Sequence, residues 1–214
     1  ELDYQRKDLP LNLAGRHSLE SWGYRVGLRK GDFKEHIQCL NQLKVYTEEI
    51  RTPEQVKKLD GLIIPGGEST TISKLIKIFN FEKVIYDHAL EKKALWGTCA
   101  GMIILAKTLT EINPKPLGLL DIKVSRNWYG RQIDSFEKDI NIVGLNKPFR
   151  AVFIRAPVIQ KVGKNVRILG EENGYPIAVR SDNILATSFH PELTGDLRIH
   201  DMFVNMIDEK YIKK

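Results

Sequence analysis

The chain has 214 residues, 42% hydrophobic and 28% charged, which suits one domain with a full core and leaves no room for two of ordinary size. No run approaches the roughly 18 uninterrupted apolar residues of a bilayer-spanning helix, and the polar start lacks a signal core, so a soluble, cytoplasmic protein away from membranes is expected. The two cysteines, Cys39 and Cys99, give neither a disulfide framework nor a metal-ligand spacing, so any cysteine chemistry is that of a free thiol without a metal.

The formal net charge is +6, concentrated between Lys115 and Gly170, where eleven Lys and Arg stand against four Asp and Glu. These cations are scattered among Gly, Asn and aromatic residues with no basic run. That pattern suits a small anionic substrate or an acidic protein partner better than nucleic acid.

Along the chain, residues 1–22 show neither helical nor strand periodicity and read as an N-terminal extension, outside a single domain of residues 23–214. Tyr24 to Leu28 makes a poor buried strand, because Arg25 and Gly27 interrupt it. Helical periodicity then covers Phe33 to Leu43, Thr70 to Phe79, Phe81 to Leu90, Ala100 to Leu109 and Leu197 to Ile212. Short β-branched runs at Gly61 to Ile64, Ala94 to Trp96, Ile122 to Val124, Val152 to Ile154 and Ile184 to Ser188 read as buried strands. Strand and helix in alternation imply an α/β fold, a three-layer open and mostly parallel sheet with helices on both faces. The section from Leu117 to Ile159 is more strand-like, so antiparallel excursions of a mixed sheet are expected there.

The strongest chemical signal is Leu95-Trp96-Gly97-Thr98-Cys99-Ala100-Gly101, a strand running through Gly-x-Cys-x-Gly into an apolar helix. It has the form of a nucleophile elbow with cysteine in place of serine. Such a turn lifts the sulfur to the carboxyl end of the sheet and sets it at a helix N-terminus, whose dipole favours thiolate. A base follows the last apolar run in Phe189-His190-Pro191-Glu192, and Glu192 can turn back to orient the imidazole of His190. The other histidines, His17, His36, His88 and His200, read as structural or surface residues.

A third segment, Pro65-Gly66-Gly67-Glu68-Ser69-Thr70, takes a strand into a glycine pair and a helix start, with Ser69 or Thr70 as N-cap. Adjacent glycines can turn amides into a cavity, so Gly67 and Ala100 are expected to form an oxyanion hole. A phosphate-binding loop is the alternative, although neither nucleotide-loop spacing is present.

These three segments, together with Arg126-Asn127-Trp128-Tyr129-Gly130-Arg131-Gln132, Asp134-Ser135-Phe136 and Phe153-Ile154-Arg155-Ala156-Pro157, resemble the class I, triad-type glutamine amidotransferases. More narrowly they resemble the glutaminase subunits of pyridoxal 5′-phosphate synthase, the PdxT or Pdx2 family, from about Gly31 onward. The resemblance implies a flavodoxin-like fold and hydrolysis of L-glutamine to glutamate and ammonia by Cys99, His190 and Glu192. It further implies ammonia delivery to a synthase subunit of the PdxS or Pdx1 type in vitamin B6 biosynthesis, with no cofactor. Glutamine would be held by Gly66, Gly67, Glu68, Arg126, Ile154 and Arg155; Arg131 reads better as a surface or interface residue. The chain departs from the family at its first strand, where Lys30 stands in place of an expected glutamine. Two rival readings are a catalytically silent interaction subunit and another cysteine hydrolase of the same fold, such as a γ-glutamyl hydrolase.

Overall fold

The computed structural model describes residues 25–28, 33–126 and 135–212, with side chains over 33–126 and 135–209. The expectations for residues 1–22, for Lys30 and for the Asn127 to Gln132 motif with Arg131 lie outside the described residues.

In chain order, strand β1 (Arg25–Leu28) leads to helix α1 (Phe33–Gln42), strand β2 (Tyr46–Glu49) and a short helix α2 (Pro53–Val56). The start of α2 is fixed by Gln55, whose side chain accepts from the amides of Arg51 and Thr52 at 2.8 and 2.9 Å. Strand β3 (Gly61–Ile64) is followed by helices α3 (Ser69–Ile78) and α4 (Phe81–Leu90), then strand β4 (Ala94–Thr98) and helix α5 (Ala100–Leu105). A strand-rich stretch follows, with β5 (Ala106–Leu109), β6 (Leu120–Ser125), β7 (Ser135–Ile140), β8 (Phe149–Ile154) and β9 (Val158–Val162). The chain closes with β10 (Arg167–Glu172), β11 (Tyr175–Ser181), β12 (Ile184–Thr187), a 3₁₀ turn over Pro191–Leu193 and helix α6 (Arg198–Ile212).

Seven strands form the central sheet in the order β10-β11-β12-β4-β3-β1-β2. From β12 to β2 all neighbours are parallel, while β11 and β10 add on antiparallel at one edge. Strand alternation divides the core into two layers. Leu62, Ile64, Leu95, Ile184 and Ala186 face Ile72, Ile76, Phe81, Ile85 and Ile103 of α3, α4 and α5. Ile63, Trp96 and Leu185 face Leu40 of α1 and Ile199, Phe203 and Ile207 of α6. This is the expected three-layer α/β arrangement, with helices on both faces.

Three expectations are corrected. The helix expected over Ala100 to Leu109 stops at Leu105, and Ala106 turns to an extended backbone at φ −54 and ψ 154. The amides of Leu117 and Gly118 take the carbonyls of Ile104 and Ala106 at 2.7 and 2.9 Å, and Ala106–Leu109 then pairs parallel with β6. Apolar periodicity alone carried the expected helix past a point where tertiary pairing offered those carbonyls better partners. The antiparallel pairing expected from Leu117 to Ile159 is present, β6 with β9 and β7 with β8, but these strands join two separate small sheets, β5-β6-β9 and β7-β8, and do not extend the main one. Finally, Arg25 and Gly27 do not prevent a strand, because β1 is laddered on both sides by β2 and β3 through main-chain groups indifferent to side-chain polarity.

Phe203 is fully buried under β3 and β4. Phe203→Ala is therefore expected to lower the unfolding free energy in a urea titration by about 3–5 kcal/mol, the cost of a large aromatic cavity.

Candidate active site

The elbow forms because two glycines let three backbones meet. A Cβ on Gly101 would stand 1.8 Å from the carbonyl oxygen of Ile64, and one on Gly97 would stand 2.6 Å from the carbonyl of Gly101. With both glycines in place, the end of β3 presses on the first turn of α5, and Cys99 between them adopts φ 47 and ψ −103. That conformation is costly for a residue with a side chain and persists only where its surroundings impose it. The Cys99 amide donates to the carbonyl of Thr187 at 2.8 Å, which ties the elbow to the neighbouring strand β12.

Beyond β12 the chain turns sharply. The amide of Ser188 donates to Ile177 and that of His190 to Val152, each at 2.8 Å, so the histidine is pinned between β11 and β8. The 3₁₀ turn then swings Glu192 back, and its Oε1 lies 2.7 Å from His190 Nδ1. Cys99 and His190 share a side-chain hydrogen bond, and the sulfur also lies 4.0 Å from the carbonyl of Ile154 at the end of β8. All three side chains are buried, His190 at 3% and Glu192 at 5% exposure. Burial works against a charged imidazole, but hydrogen bonds and attraction from Cys99 and Glu192 outweigh it and raise the His190 pKa to about 10. The ring therefore keeps its proton at neutral pH and can give it to a leaving group.

The glycine loop lies directly beyond Ile64, so it follows the same contact that shapes the elbow. Gly67 has φ 135, a conformation that favours glycine. The expected N-cap at Ser69 or Thr70 is corrected: Glu68 caps α3, its two carboxylate oxygens accepting from the amides of Thr70 at 3.0 Å and Thr71 at 2.6 Å. Burial is the largest single influence and opposes ionisation, but the hydrogen bonds from Thr70 and Thr71 together outweigh burial and lower the Glu68 pKa to about 2. Arg126 sits at 3.4 Å from Glu68 Oε1 and 3.5 Å from Thr70 Oγ1, and it also donates to the carbonyl of Asn113 at 2.7 Å. Its own amide is held by Glu111 at 2.9 Å. Arg155 is exposed, with a left-handed φ of 42. The geometry thus joins Cys99, His190, Glu192 and Ile154 in one cluster, and Glu68 with Arg126 in another. The amide of Ala100 opens the first turn of α5, where no helical carbonyl precedes it.

A family model described as the SNO glutamine amidotransferase family matches residues 26–209. The chain belongs to the SNO glutamine amidotransferase family. Relatives named "Pyridoxal 5'-phosphate synthase subunit PdxT" include one from Fervidobacterium nodosum, 46% identical over 84% of this chain and 94% of its own length. Another, from Dehalococcoides mccartyi, is 52% identical over 83% of this chain and 93% of its own. A crystal structure of a glutamine amidotransferase matches at a TM-score of 0.82 and 43% identity, over 86% of this chain and 98% of that one. A glutamine amidotransferase from Thermotoga maritima, at 14% identity and a TM-score of 0.58 over 88% of this chain and 86% of that one, shares the fold.

Sequence reasoning did not anticipate two buried histidines that lie close to Glu192. His36 and His200, read as structural or surface residues, lie behind Glu192, with His36 Nε2 3.4 Å from Glu192 Oε2. His36 belongs to the buried stripe of α1 with Cys39 and Leu40, and His200 lies beside Ile199 on α6, so nothing in the spacing distinguishes them from core histidines. His88 keeps its structural reading, with Nε2 3.0 Å from the carbonyl of Ala94.

Two outcomes follow from this geometry. Gly101→Ala should unfold at markedly lower urea concentration, by about 3 kcal/mol or more, since its new carbon meets main chain rather than a yielding side chain. Cys99→Ala should lower the His190 pKa, read by NMR titration of the ring, because the sulfur's contribution goes while burial stays. The raised pKa stabilises the fold fully below about pH 6.5, and that stabilisation is lost as pH rises through about 10.

Proposed function

We propose that this chain hydrolyses L-glutamine to L-glutamate and ammonia through a thioester on Cys99. One observation carries the reading: a cysteine on a strained elbow hydrogen-bonded to a buried histidine, whose other nitrogen lies 2.7 Å from Glu192. The anionic sulfur attacks the side-chain carboxamide carbon and forms a tetrahedral oxyanion, which the amides of Gly67 and Ala100 receive. His190 gives its proton to the amide nitrogen, the carbon–nitrogen bond breaks, and ammonia leaves behind a γ-glutamyl thioester. His190, now neutral, takes a proton from water as the water attacks that thioester; glutamate is released and the sulfur–imidazolium pair is restored. Glu192 holds the tautomer throughout.

Gly66, Gly67, Glu68, Arg126, Ile154 and Arg155 form the glutamine site in this reading. A free amino acid needs an acid for its ammonium group and cationic or amide donors for its carboxylate, and Glu68 beside Arg126 offers both kinds of group. The two are engaged with each other and with the start of α3, so glutamine would enter by replacing part of that pairing. The relatives are named as subunits of pyridoxal 5′-phosphate synthase, which supports a reading in which the ammonia passes to a partner synthase subunit of the PdxS or Pdx1 type. The reading includes one glutaminase domain over residues 23–214, with 1–22 as an extension. A cytoplasmic location is supported by the two free cysteines, and no helix among the described residues is long and apolar enough to cross a membrane.

The test is glutamate release from glutamine, with and without a purified synthase subunit. Cys99→Ala should lose at least about 10⁴-fold in turnover while still binding glutamine by calorimetry. Full turnover in that variant, or turnover with γ-glutamyl peptides but not glutamine, would overturn the reading. Addition of the synthase subunit should raise the wild-type rate, because ammonia delivery requires the two to dock.

A further inference from the structure

The carboxylate of Glu192 has two oxygens, and the mechanism above uses one. The other faces His36 Nε2 at 3.4 Å in a site closed to solvent on both sides. The same nitrogen lies 3.4 Å from Thr98 Oγ1, the residue before the nucleophile, and His36 Nδ1 lies 2.9 Å from His200 Nε2. Trp96, three residues before Cys99, sets its ring edge-on against both imidazoles, with centroids 5.3 Å from His36 and 5.0 Å from His200. Helix α1 is further tied to the triad turn by Cys39 Sγ, 4.0 Å from the carbonyl of Glu192.

Elementary hydrogen-bond chemistry gives this cluster a direction. A carboxylate only accepts, so His36 Nε2 must carry the proton that faces it. In a neutral ring Nδ1 is then a bare acceptor, and His200 Nε2 must be the donor to it. The opposite polarity would aim the lone pair of His36 Nε2 at a carboxylate oxygen. It would also make His200 Nδ1 a buried N–H donor, and that atom has no partner among the described residues, whereas the first polarity leaves it only a bare acceptor. Both rings are neutral: burial, then the neighbouring His200 and His190, holds His36 well below 6.5, and burial holds His200 near 3. The titratable groups around His36 are His200 on α6, His190 and Glu192 beyond β12, and Cys39 on its own helix.

We propose that His36 and His200 are positioning residues for the triad: the Nε2–H of His36 holds the strand end at Thr98 and sets a positive dipole against the second oxygen of Glu192, and His200 fixes the tautomer of His36. A run of close polar contacts therefore links α6 through α1 to the 3₁₀ turn, with His36 Nε2 set 3.4 Å from the second oxygen of Glu192. Because the two rings add no charge, the negative charge of Glu192 is left to the imidazolium of His190. The proposal rests on the glutaminase reading of the same site.

The test compares full-length His36→Leu with His36→Gln, and His200→Phe with His200→Gln. Glutamate release and the pH dependence of iodoacetamide alkylation at Cys99, followed on its peptide by mass spectrometry, are the readouts. His36→Leu should lose about tenfold or more in kcat with KM changed less than about twofold, as loss of an orienting partner does elsewhere. Its alkylation should begin at higher pH, since a loosened Glu192 stabilises the imidazolium less. Glutamine at 36 offers an amide donor in the place of Nε2 and should recover most of both readouts. At position 200, glutamine should likewise outperform phenylalanine. Wild-type kcat with an unmoved alkylation profile in folded His36→Leu, or equal impairment of the Leu and Gln variants, would overturn the proposal. Should His36→Leu fail to fold by circular dichroism, the pair at position 200 decides in the same way: phenylalanine equal to glutamine overturns it. A wild-type protein that releases no glutamate yet shows these alkylation shifts would refute the glutaminase reading and leave the relay standing.

Discussion

The carbonyl oxygen of Ile64 stands where any side chain on Gly101 would have to be. This main-chain contact, between the end of β3 and the first turn of α5, sets the spacing from which the rest of the site hangs. It forces the turn at Cys99 into a left-handed φ and brings the sulfur to the carboxyl edge of the parallel strands. It also fixes where the Gly66-Gly67 loop departs. Strand β12 pairs parallel with β4, Thr187 opposite Thr98, so the residues that follow Thr187 emerge beside the residues that follow Thr98. His190 and Cys99 are neighbours because two parallel strands end together, although 91 positions separate them in the chain.

The two acidic residues near the site behave differently for reasons of environment. Glu68 lies at the surface, and helix amides hold it ionised with Arg126 alongside. Glu192 is sealed from water, and its hold depends on imidazoles on both sides. A surface carboxylate held by main-chain donors can exchange one partner for a ligand at small cost, whereas a buried one that loses a partner leaves a charge without compensation.

Legibility in the sequence followed burial. Strands β3 and β12 and helix α4 were readable almost to the residue, because every position of these strands is buried and α4 alternates apolar and polar faces. The elbow, His190 and Glu192 were readable because glycine spacing and a histidine after an apolar run are local patterns. Strands β2 and β7 were not: Tyr46–Glu49 and Ser135–Ile140 carry mostly polar side chains, half-buried in β2 and largely exposed in β7, and owe their form to strand pairing. The end of α5 was hidden for a similar reason, since distant amides from Leu117 and Gly118 settle it. His36 and His200 were invisible because the polar contacts they make lie inside an otherwise apolar stripe.

Helix α5 is six residues long before the chain straightens into β5. Fewer than two turns of aligned peptides make a weak macrodipole, so the fixed field of the backbone offers the sulfur little support. The counter-charge must come from a proton on a ring, and that proton is itself a reactant. In the proposed cycle, once it has left with ammonia, the imidazole is neutral and the acyl group has neutralised the sulfur, so the site carries no more uncompensated charge midway than at the start. Charge balance at this buried site is therefore kept by the chemistry of that proposed cycle, step for step, and not by the scaffold.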